Sequence, residues 1–219
     1  MQPMAQFEVE RSTHFSKGEM DTLRMILGVG VVVILPVVLA FWITIHGGSR
    51  FWRSQKPVYA YSAALLAMLL AGGLAAAYRA TLVGVDLGGN IVLFGLGAIV
   101  YGLSFLLWRP IKKALDFSTF AGVPEVSGKD IALIQTGPFK LVRHPRYLMV
   151  AIGLIGWALM ANYAGVYFVG LLSLAGLAFV VRLEERDLTD RFGSAYRDYQ
   201  KQVPQLVPTL ASWKAYRDG

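Results

Sequence analysis

The chain has 219 residues, of which 55% are hydrophobic and 16% charged, and its formal net charge is +7. Soluble domains contain about 25% charged residues, so this composition excludes an ordinary soluble domain. It also excludes intrinsic disorder, which requires low hydrophobicity. We therefore predict an all-α, polytopic helical membrane protein in which each span takes about 20 apolar residues.

The apolar runs, taken in chain order, predict five transmembrane helices. The first three cover residues 25–45, 58–78 and 87–108. Residues 147–181 then contain no charge, and this stretch suffices for two crossings of about 17 residues each. A turn at residues 162–165 divides it, so spans four and five are predicted to form a short helical hairpin.

The distribution of lysine and arginine predicts the orientation of these spans. With five spans, the loops 50–56 and 109–146 and the tail from residue 182 share one side, which holds 17 of the 21 basic residues. The positive-inside rule assigns this side, with the C-terminus and the active site, to the cytoplasm and leaves the N-terminus outside. Because topology accounts for the basic charge, nucleic-acid binding is not expected.

The span boundaries divide the chain into four predicted segments. They are an extracytoplasmic N-terminal segment at 1–24, the first three transmembrane helices at 25–108, a region with the cofactor-binding loop, helical hairpin and C-terminal motif at 109–208, and a C-terminal tail at 209–219.

Cysteine and histidine usage limits the possible chemistry. There is no cysteine, and His14, His46 and His144 lie far apart in the chain, so neither a disulfide nor a metal site is expected. Any reaction is then expected to use an organic cofactor or side chains alone. Residues near the ends of the spans, among them His46, Asp86, Trp42, Trp52, Trp108 and Trp213, are expected to be interface anchors or loop residues.

A first motif, TGPFKLVRHPRY at residues 136–147, stands just before the fourth span. Proline is favoured at the first position of a helix, so Pro145 is predicted to begin this helix with His144 at its cap. A helix N-terminus beside Arg143 attracts a carboxylate or phosphate. The alternative is that Arg143, His144 and Arg146 anchor the chain to lipid phosphates.

A second motif follows the fifth span. Residues 184–204 begin with Glu184 and Glu185, and an apolar stripe at helical spacing follows. This stripe predicts a cytoplasmic C-terminal amphipathic helix with a carboxylate on either side of it. The stripe consists of Leu188, Phe192, Ala195 and Tyr199. The alternative is a solvated helix whose acids pair with neighbouring arginines.

These two motifs, in this order around a short hairpin, closely resemble the isoprenylcysteine carboxyl methyltransferase and phospholipid methyltransferase superfamily of integral membrane enzymes. The resemblance covers about residues 95–208. It implies an S-adenosylmethionine-dependent methyltransferase that acts at the cytoplasmic membrane interface on a lipid-like or prenylated acceptor. The methylated group is a carboxylate, an amine or a thiol, and the expected partners are this hydrophobic acceptor and membrane lipids. The oligomeric state stays open.

The resemblance also implies a site. Arg143 and Glu185 are the candidate catalytic residues, and Arg143 is the candidate partner of the methionyl carboxylate. The residues expected to bind the cofactor are Gly95, Gly97, Gly137, Pro138, His144, Pro145, Tyr147, Glu184 and Glu185. Because short helices return the chain to the surface where they began, His144 and Glu185 are expected to lie close together. The loop at 113–120 departs from the family pattern, and it is the segment expected to contact the acceptor.

Two other functions are compatible with the sequence. Membrane reductases of the sterol-reductase type share a similar Arg-x-x-Arg-His-Pro stretch and use NADPH, although Arg146 stands where they commonly have asparagine. A non-enzymatic membrane accessory protein on the same scaffold is the other alternative. The intact run Arg143-His144-Pro145 and the acidic pair favour an enzyme.

Overall fold

The computed structural model describes residues 16–127 and 132–218, and in these ranges the chain is helical without a β-strand. The α-helices are α1 Lys17–Gly47, α2 Ser49–Trp52, α3 Pro57–Ala77, α4 Arg79–Val83, α5 Ile91–Ser104, α6 Trp108–Ala114, α7 Phe117–Phe120, α8 Val123–Ser127, α9 Pro145–Ala161, α10 Ala164–Phe192, α11 Ser194–Gln202 and α12 Leu210–Arg217. A 3-10 turn, Gly137–Lys140, precedes α9. Most of the predicted N-terminal segment lies outside the described residues.

Four helical segments are long and apolar enough to cross a membrane. They are Lys17–Gly47, Pro57–Ala77, Ile91–Ala114 and Ala164–Phe192. Helix α9 is apolar but has only 17 residues, so the fifth span stays a prediction. The chain is thus a multi-pass helical membrane protein, and its orientation also stays a prediction.

Helix α1 packs along α3, α9 and α10, and α5 packs along α9. Lipid tails are as apolar as the side chains in these contacts, so close packing rather than exclusion of water holds the helices together. The contact of α5 with α9 shows this, because a Cβ at Gly97 would lie 2.6 Å from the carbonyl oxygen of Gly156. Small residues at both positions permit this close approach.

Helices α9 and α10 form the predicted hairpin, and the chain turns at Asn162 and Tyr163. Asn162 has φ 53° and ψ 54°, a left-handed conformation that asparagine tolerates at the end of a helix. The buried Arg24 of α1 donates from Nε to the carbonyl oxygen of Ala161 at 3.1 Å and from Nη2 to that of Asn162 at 3.2 Å. Arg24 also pairs with Asp86, so the turn is tied to α1 and to the loop before α5.

The chain beyond the hairpin differs from the single amphipathic helix that the sequence predicts. Helix α10 continues to Phe192, and Gly193, with φ 57°, separates it from α11. Glycine adopts this left-handed conformation at little cost, whereas other residues do not. The apolar stripe from Leu188 to Tyr199 is therefore divided between two helices.

Candidate active site

The site begins at the N-terminus of α9, where Pro145 is the first helical residue and His144 the cap, as predicted. The segment after α11 runs back alongside this point. The amide of Arg143 donates to the carbonyl oxygen of Pro204 at 2.9 Å, and that of His144 donates to the carbonyl oxygen of Gln205 at 3.2 Å. These two backbone bonds hold residues 143 and 144 against the C-terminal segment.

Glu185 is the centre of a polar cluster. Arg143 donates to its Oε1 from Nε at 2.8 Å, with Nη2 at 2.6 Å from the same oxygen. His144 Nε2 lies 3.2 Å from Oε1, and Gln205 Nε2 donates to Oε2 at 2.9 Å. The buried Tyr196 donates to Oε1 at 3.4 Å. The predicted closeness of His144 and Glu185 is confirmed, whereas the parts of Gln205 and Tyr196 in the cluster were not predicted.

Glu184 forms a second set of contacts on the neighbouring side. Tyr147 Oη donates to Glu184 Oε2 at 2.6 Å, and His144 Nδ1 lies 3.7 Å from Oε1. His144 therefore lies between the two carboxylates. Each carboxylate has its own partners, so both acids are part of the polar cluster and the contacts do not favour one over the other.

The position of His144 between two carboxylates determines its charge. Burial alone would lower the pKa of the imidazole, but hydrogen bonds and charge attraction from Glu184 and Glu185 outweigh it. The pKa of His144 is thus raised above its ordinary value. The two carboxylates therefore favour the protonated form of His144.

Trp42 and His46, expected to be interface anchors or loop residues, form a wall of this site together with Arg146. The guanidinium of Arg146 lies 4.1 Å from the centroid of the Trp42 ring, and Trp42 stacks on His46 at 5.2 Å. His46 Nε2 is 3.5 Å from Glu184 Oε2. The expectation for Trp42 and His46 was wrong because the last turns of α1 pack beside α9 and α10 and bring both side chains next to Glu184. An ionisable residue at the end of an apolar helix was the sequence signal for His46.

A cavity opens beside Glu184, and its lining is mainly apolar. It is lined by Leu115, Thr119, Glu125, Ala132, Leu133, Ile134, Phe139, Arg143, Glu184, Leu188, Arg191, Phe192, Tyr196 and Tyr199. Glu125 of α8 was not among the predicted site residues, although an acid in the apolar run Val123–Ser127 was a signal. Burial raises the pKa of the Glu125 carboxyl to about 7, and the charge of Glu184 acts in the same direction.

Two of the glycines predicted to bind the cofactor lie apart from the acidic pair. Gly97 is packed against α9 at Gly156, and a Cβ added to Gly95 would meet no described atom within 4 Å. Gly156 is 11 residues beyond Pro145, which is about 16 Å along α9. The structure therefore does not bring Gly95 and Gly97 to the site, because their helix approaches α9 far from its N-terminus.

Gly137 and Pro138 contribute through the backbone. Gly137 has φ 58° and begins the 3-10 turn, in which Pro138 is buried. The turn docks on α11, because Tyr199 Oη donates to the carbonyl oxygen of Phe139 at 2.6 Å. These two residues shape the loop that leads to Arg143 rather than contacting the acids.

The donor set fits S-adenosylmethionine. That cofactor carries an ammonium, a carboxylate, a sulfonium and ribose hydroxyls, and carboxylates, a guanidinium and aromatic rings bind such groups. Glu184, Glu185, Arg143 and Tyr196, which lies at the cavity, supply these side chains. In the structure Arg143 is already paired with Glu185, so a carboxylate bound at Arg143 shares the guanidinium with Glu185.

Comparisons with known proteins agree with the geometry. Residues 91–195 match the phospholipid methyltransferase family. Methanethiol S-methyltransferase 2 of Bradyrhizobium diazoefficiens is 39% identical over 94 residues, which cover 43% of this chain and 34% of that protein. A cobalt-zinc-cadmium resistance protein of Cupriavidus metallidurans is 31% identical over 91 residues, which cover 41% of this chain and 42% of that protein.

The protein-S-isoprenylcysteine O-methyltransferase of Schizosaccharomyces pombe is also similar, at 30% identity over 37% of this chain and 35% of that protein. The chain spans between 34% and 42% of the length of these three relatives. No solved structure matches the chain.

The matched segment begins at α5 and ends in α11, so it contains the hairpin, Arg143, His144 and both acids. The resemblance found in the sequence is confirmed. Residues 91–195 form a phospholipid methyltransferase domain, within the isoprenylcysteine carboxyl methyltransferase and phospholipid methyltransferase superfamily.

Proposed function

We propose that this protein is an S-adenosylmethionine-dependent methyltransferase whose site lies between the N-terminus of α9 and the end of α10. One observation carries the proposal: His144 lies within hydrogen-bonding distance of Glu185 and 3.7 Å from Glu184, inside the family domain and beside an apolar cavity. Perturbed titratable groups beside such a cavity are typical of active sites.

The charged side chains of the site have separate roles in this proposal. Glu184 and Glu185 hold polar groups of the cofactor, and Arg143 binds its carboxylate. S-adenosylmethionine, when bound, supplies a methyl group on a positively charged sulfur. The chain needs no nucleophile of its own, because proximity and exclusion of water supply much of the rate. Gly95 and Gly97 are left out of the proposed site.

The acceptor is hydrophobic in this proposal. The cavity beside Glu184 has a mainly apolar lining that includes Leu133, Phe139 and Leu188. The names of two relatives, a methanethiol and an isoprenylcysteine methyltransferase, support an apolar acceptor of small or lipid-like kind. A site at the cytoplasmic surface of the membrane, with membrane lipids around the helices, lets a water-soluble cofactor meet an acceptor from the bilayer. We assign the methyl transfer to residues 109–208, which hold the loop, the hairpin and the C-terminal motif.

Binding separates this proposal from its alternatives. We expect the purified protein to bind S-adenosylmethionine and not NADPH in an equilibrium titration. We also expect it to transfer labelled methyl groups into an organic-extractable fraction of membranes. Binding of NADPH alone would indicate a reductase, and binding of neither molecule would support an accessory role.

A further inference from the structure

Glu125 presents a buried carboxyl to the proposed site. The residue is 7% exposed, and its Oε2 accepts no hydrogen bond from the part of the chain that the structure describes. Its side chain lines a cavity together with Phe139, Tyr147 and Glu184. A buried polar atom without a partner destabilises the fold, so a residue that only filled space here would be apolar.

The surroundings of Glu125 raise its pKa to about 7, so the carboxyl is about half ionised near that pH. Glu184 on α10 opposes its ionisation, whereas Arg191 on α10 and Arg146 on α9 favour it more weakly than burial opposes it. Tyr61 on α3 also interacts with its charge. On the side of α1, Ile45 and the ring of Trp42 pack beside Gly122, next to Glu125, and neither side chain carries a charge. A carboxyl with a pKa of about 7 takes up and releases a proton near neutral pH, as an effective general base must.

We propose that Glu125 is the general base of the methyl transfer and that the acceptor is a protonated nucleophile, a thiol or an amine. This inference rests on the proposed function and narrows its acceptor. A carboxylic acid is already ionised at neutral pH and needs no base.

The proposed transfer conserves atoms and electrons. The S–H or N–H bond of the acceptor breaks, and its proton passes to Glu125 Oε2. The electron pair left on the acceptor forms the bond to the methyl carbon, and the bond from that carbon to the sulfonium sulfur breaks with its electrons on the sulfur. Glu125 then releases the proton to solvent.

Glu125→Gln tests the inference, because it keeps the shape of the side chain and removes the base. With hexanethiol as the acceptor, we expect kcat to fall at least about 100-fold while the affinity for S-adenosylmethionine stays unchanged. In the wild-type protein kcat should rise with pH through about pH 7, because the ionised form is the base. This rise should be absent from the variant.

Infrared difference spectra report the protonation of Glu125 without any measurement of catalysis. In the protein without ligands, we expect a protonated carboxyl band that titrates near pH 7 and is missing from Glu125→Gln. Asp198→Asn is the matched control, since Asp198 is an exposed carboxylate on α11 that pairs with Lys201. Added formate should partly restore activity to Glu125→Ala, which a purely structural role would not allow.

The outcomes separate the two proposals. If the wild-type protein binds no S-adenosylmethionine and methylates nothing, the proposed function is wrong. If it methylates hexanethiol and Glu125→Gln does so equally fast with the same pH profile, only the role of Glu125 is wrong. Methylation of the carboxylate of N-acetyl-S-farnesylcysteine, with no transfer to thiols or to phosphatidylethanolamine vesicles, would overturn the acceptor class. Should Glu125→Gln fail to fold, Glu125→Asp and the infrared titration still decide.

Discussion

His144 Nε2 lies 3.2 Å from Glu185 Oε1, although 41 residues and a complete helical hairpin separate the two in the chain. The contact closes the hairpin at its open end. We expect His144→Ala and Glu185→Gln each to weaken binding of S-adenosylmethionine by about ten- to a hundredfold. This follows because a hydrogen bond to a charged group contributes about 1.5–3 kcal/mol, and about 1.4 kcal/mol corresponds to tenfold.

Isothermal titration of each folded variant measures this loss. Arg186→Gln is the control, because Arg186 is exposed on the same helix as Glu185. Wild-type affinity in both His144→Ala and a Glu184/Glu185 double variant would mean that the cluster does not bind the cofactor.

Arg143 is expected to stabilise the fold as well as the site. It bonds to Glu185 and to the carbonyl oxygens of Gln200 and Val203. Because Arg143→Ala removes the guanidinium from the largely buried carboxylate of Glu185, we expect the free energy of unfolding in detergent to fall by about 1.5–3 kcal/mol. Arg50→Ala, which breaks a more exposed pair with Asp190, should cost about 0–1 kcal/mol. Equal losses for the two variants would contradict the role of Arg143.

Two neighbouring glycines offer a matched pair of variants. A Cβ at Gly97 would lie 2.8 Å from the amide nitrogen of Met160, whereas one at Gly95 meets no described atom within 4 Å. Gly97→Ala should therefore lower thermal stability by separating α5 from α9, and Gly95→Ala should change neither stability nor cofactor affinity. A loss of S-adenosylmethionine binding in a stable Gly95→Ala protein would restore these glycines to the cofactor site.

The stability of the protein should depend on the charge of His144. Because the pKa of His144 is raised in the folded protein, its contribution is fully present below the ordinary value of 6.5 and is lost as pH rises through the raised pKa. Glu125 has a separate window, since its raised pKa disfavours folding progressively from 4.5 to about 7. In a Glu125→Gln background, the midpoint of thermal unfolding should fall above pH 6.5, and His144→Gln should remove this fall. An unchanged slope would refute the charged imidazole.

The predicted orientation can be tested by cysteine labelling, because the chain has no native cysteine. Ser54, Ser194 and Ser16 are exposed. A membrane-impermeant thiol reagent should reach Ser54→Cys and Ser194→Cys only from the cytoplasm, and Ser16→Cys only from outside. Labelling of Ser16→Cys and Ser194→Cys from the same side would contradict the five-span topology.

The start of α9 and the contact of His144 with Glu185 could be predicted because they follow from local signals. Pro145 marks a helix start, and the apolar length of residues 147–181 predicts a return to the same surface. The wall formed by Trp42 and His46 could not be predicted, since it depends on how α1 packs against α9 and α10. Glu125 escaped prediction because a helix of five residues shows no periodic pattern.

The fixing of the turn at Asn162 limits how the site can open. Arg24 holds the carbonyl oxygens of Ala161 and Asn162, and Asn162 Nδ2 donates to the carbonyl oxygen of Gly88 at 2.9 Å. The 17 residues of α9 place Pro145 about 25 Å from this fixed turn. At that distance, a change of about 5° in the angle between α9 and α10 would alter the separation of their far ends by about 2 Å. The spacing of the groups around Glu184 and Glu185 is therefore sensitive to how firmly Arg24 holds the turn.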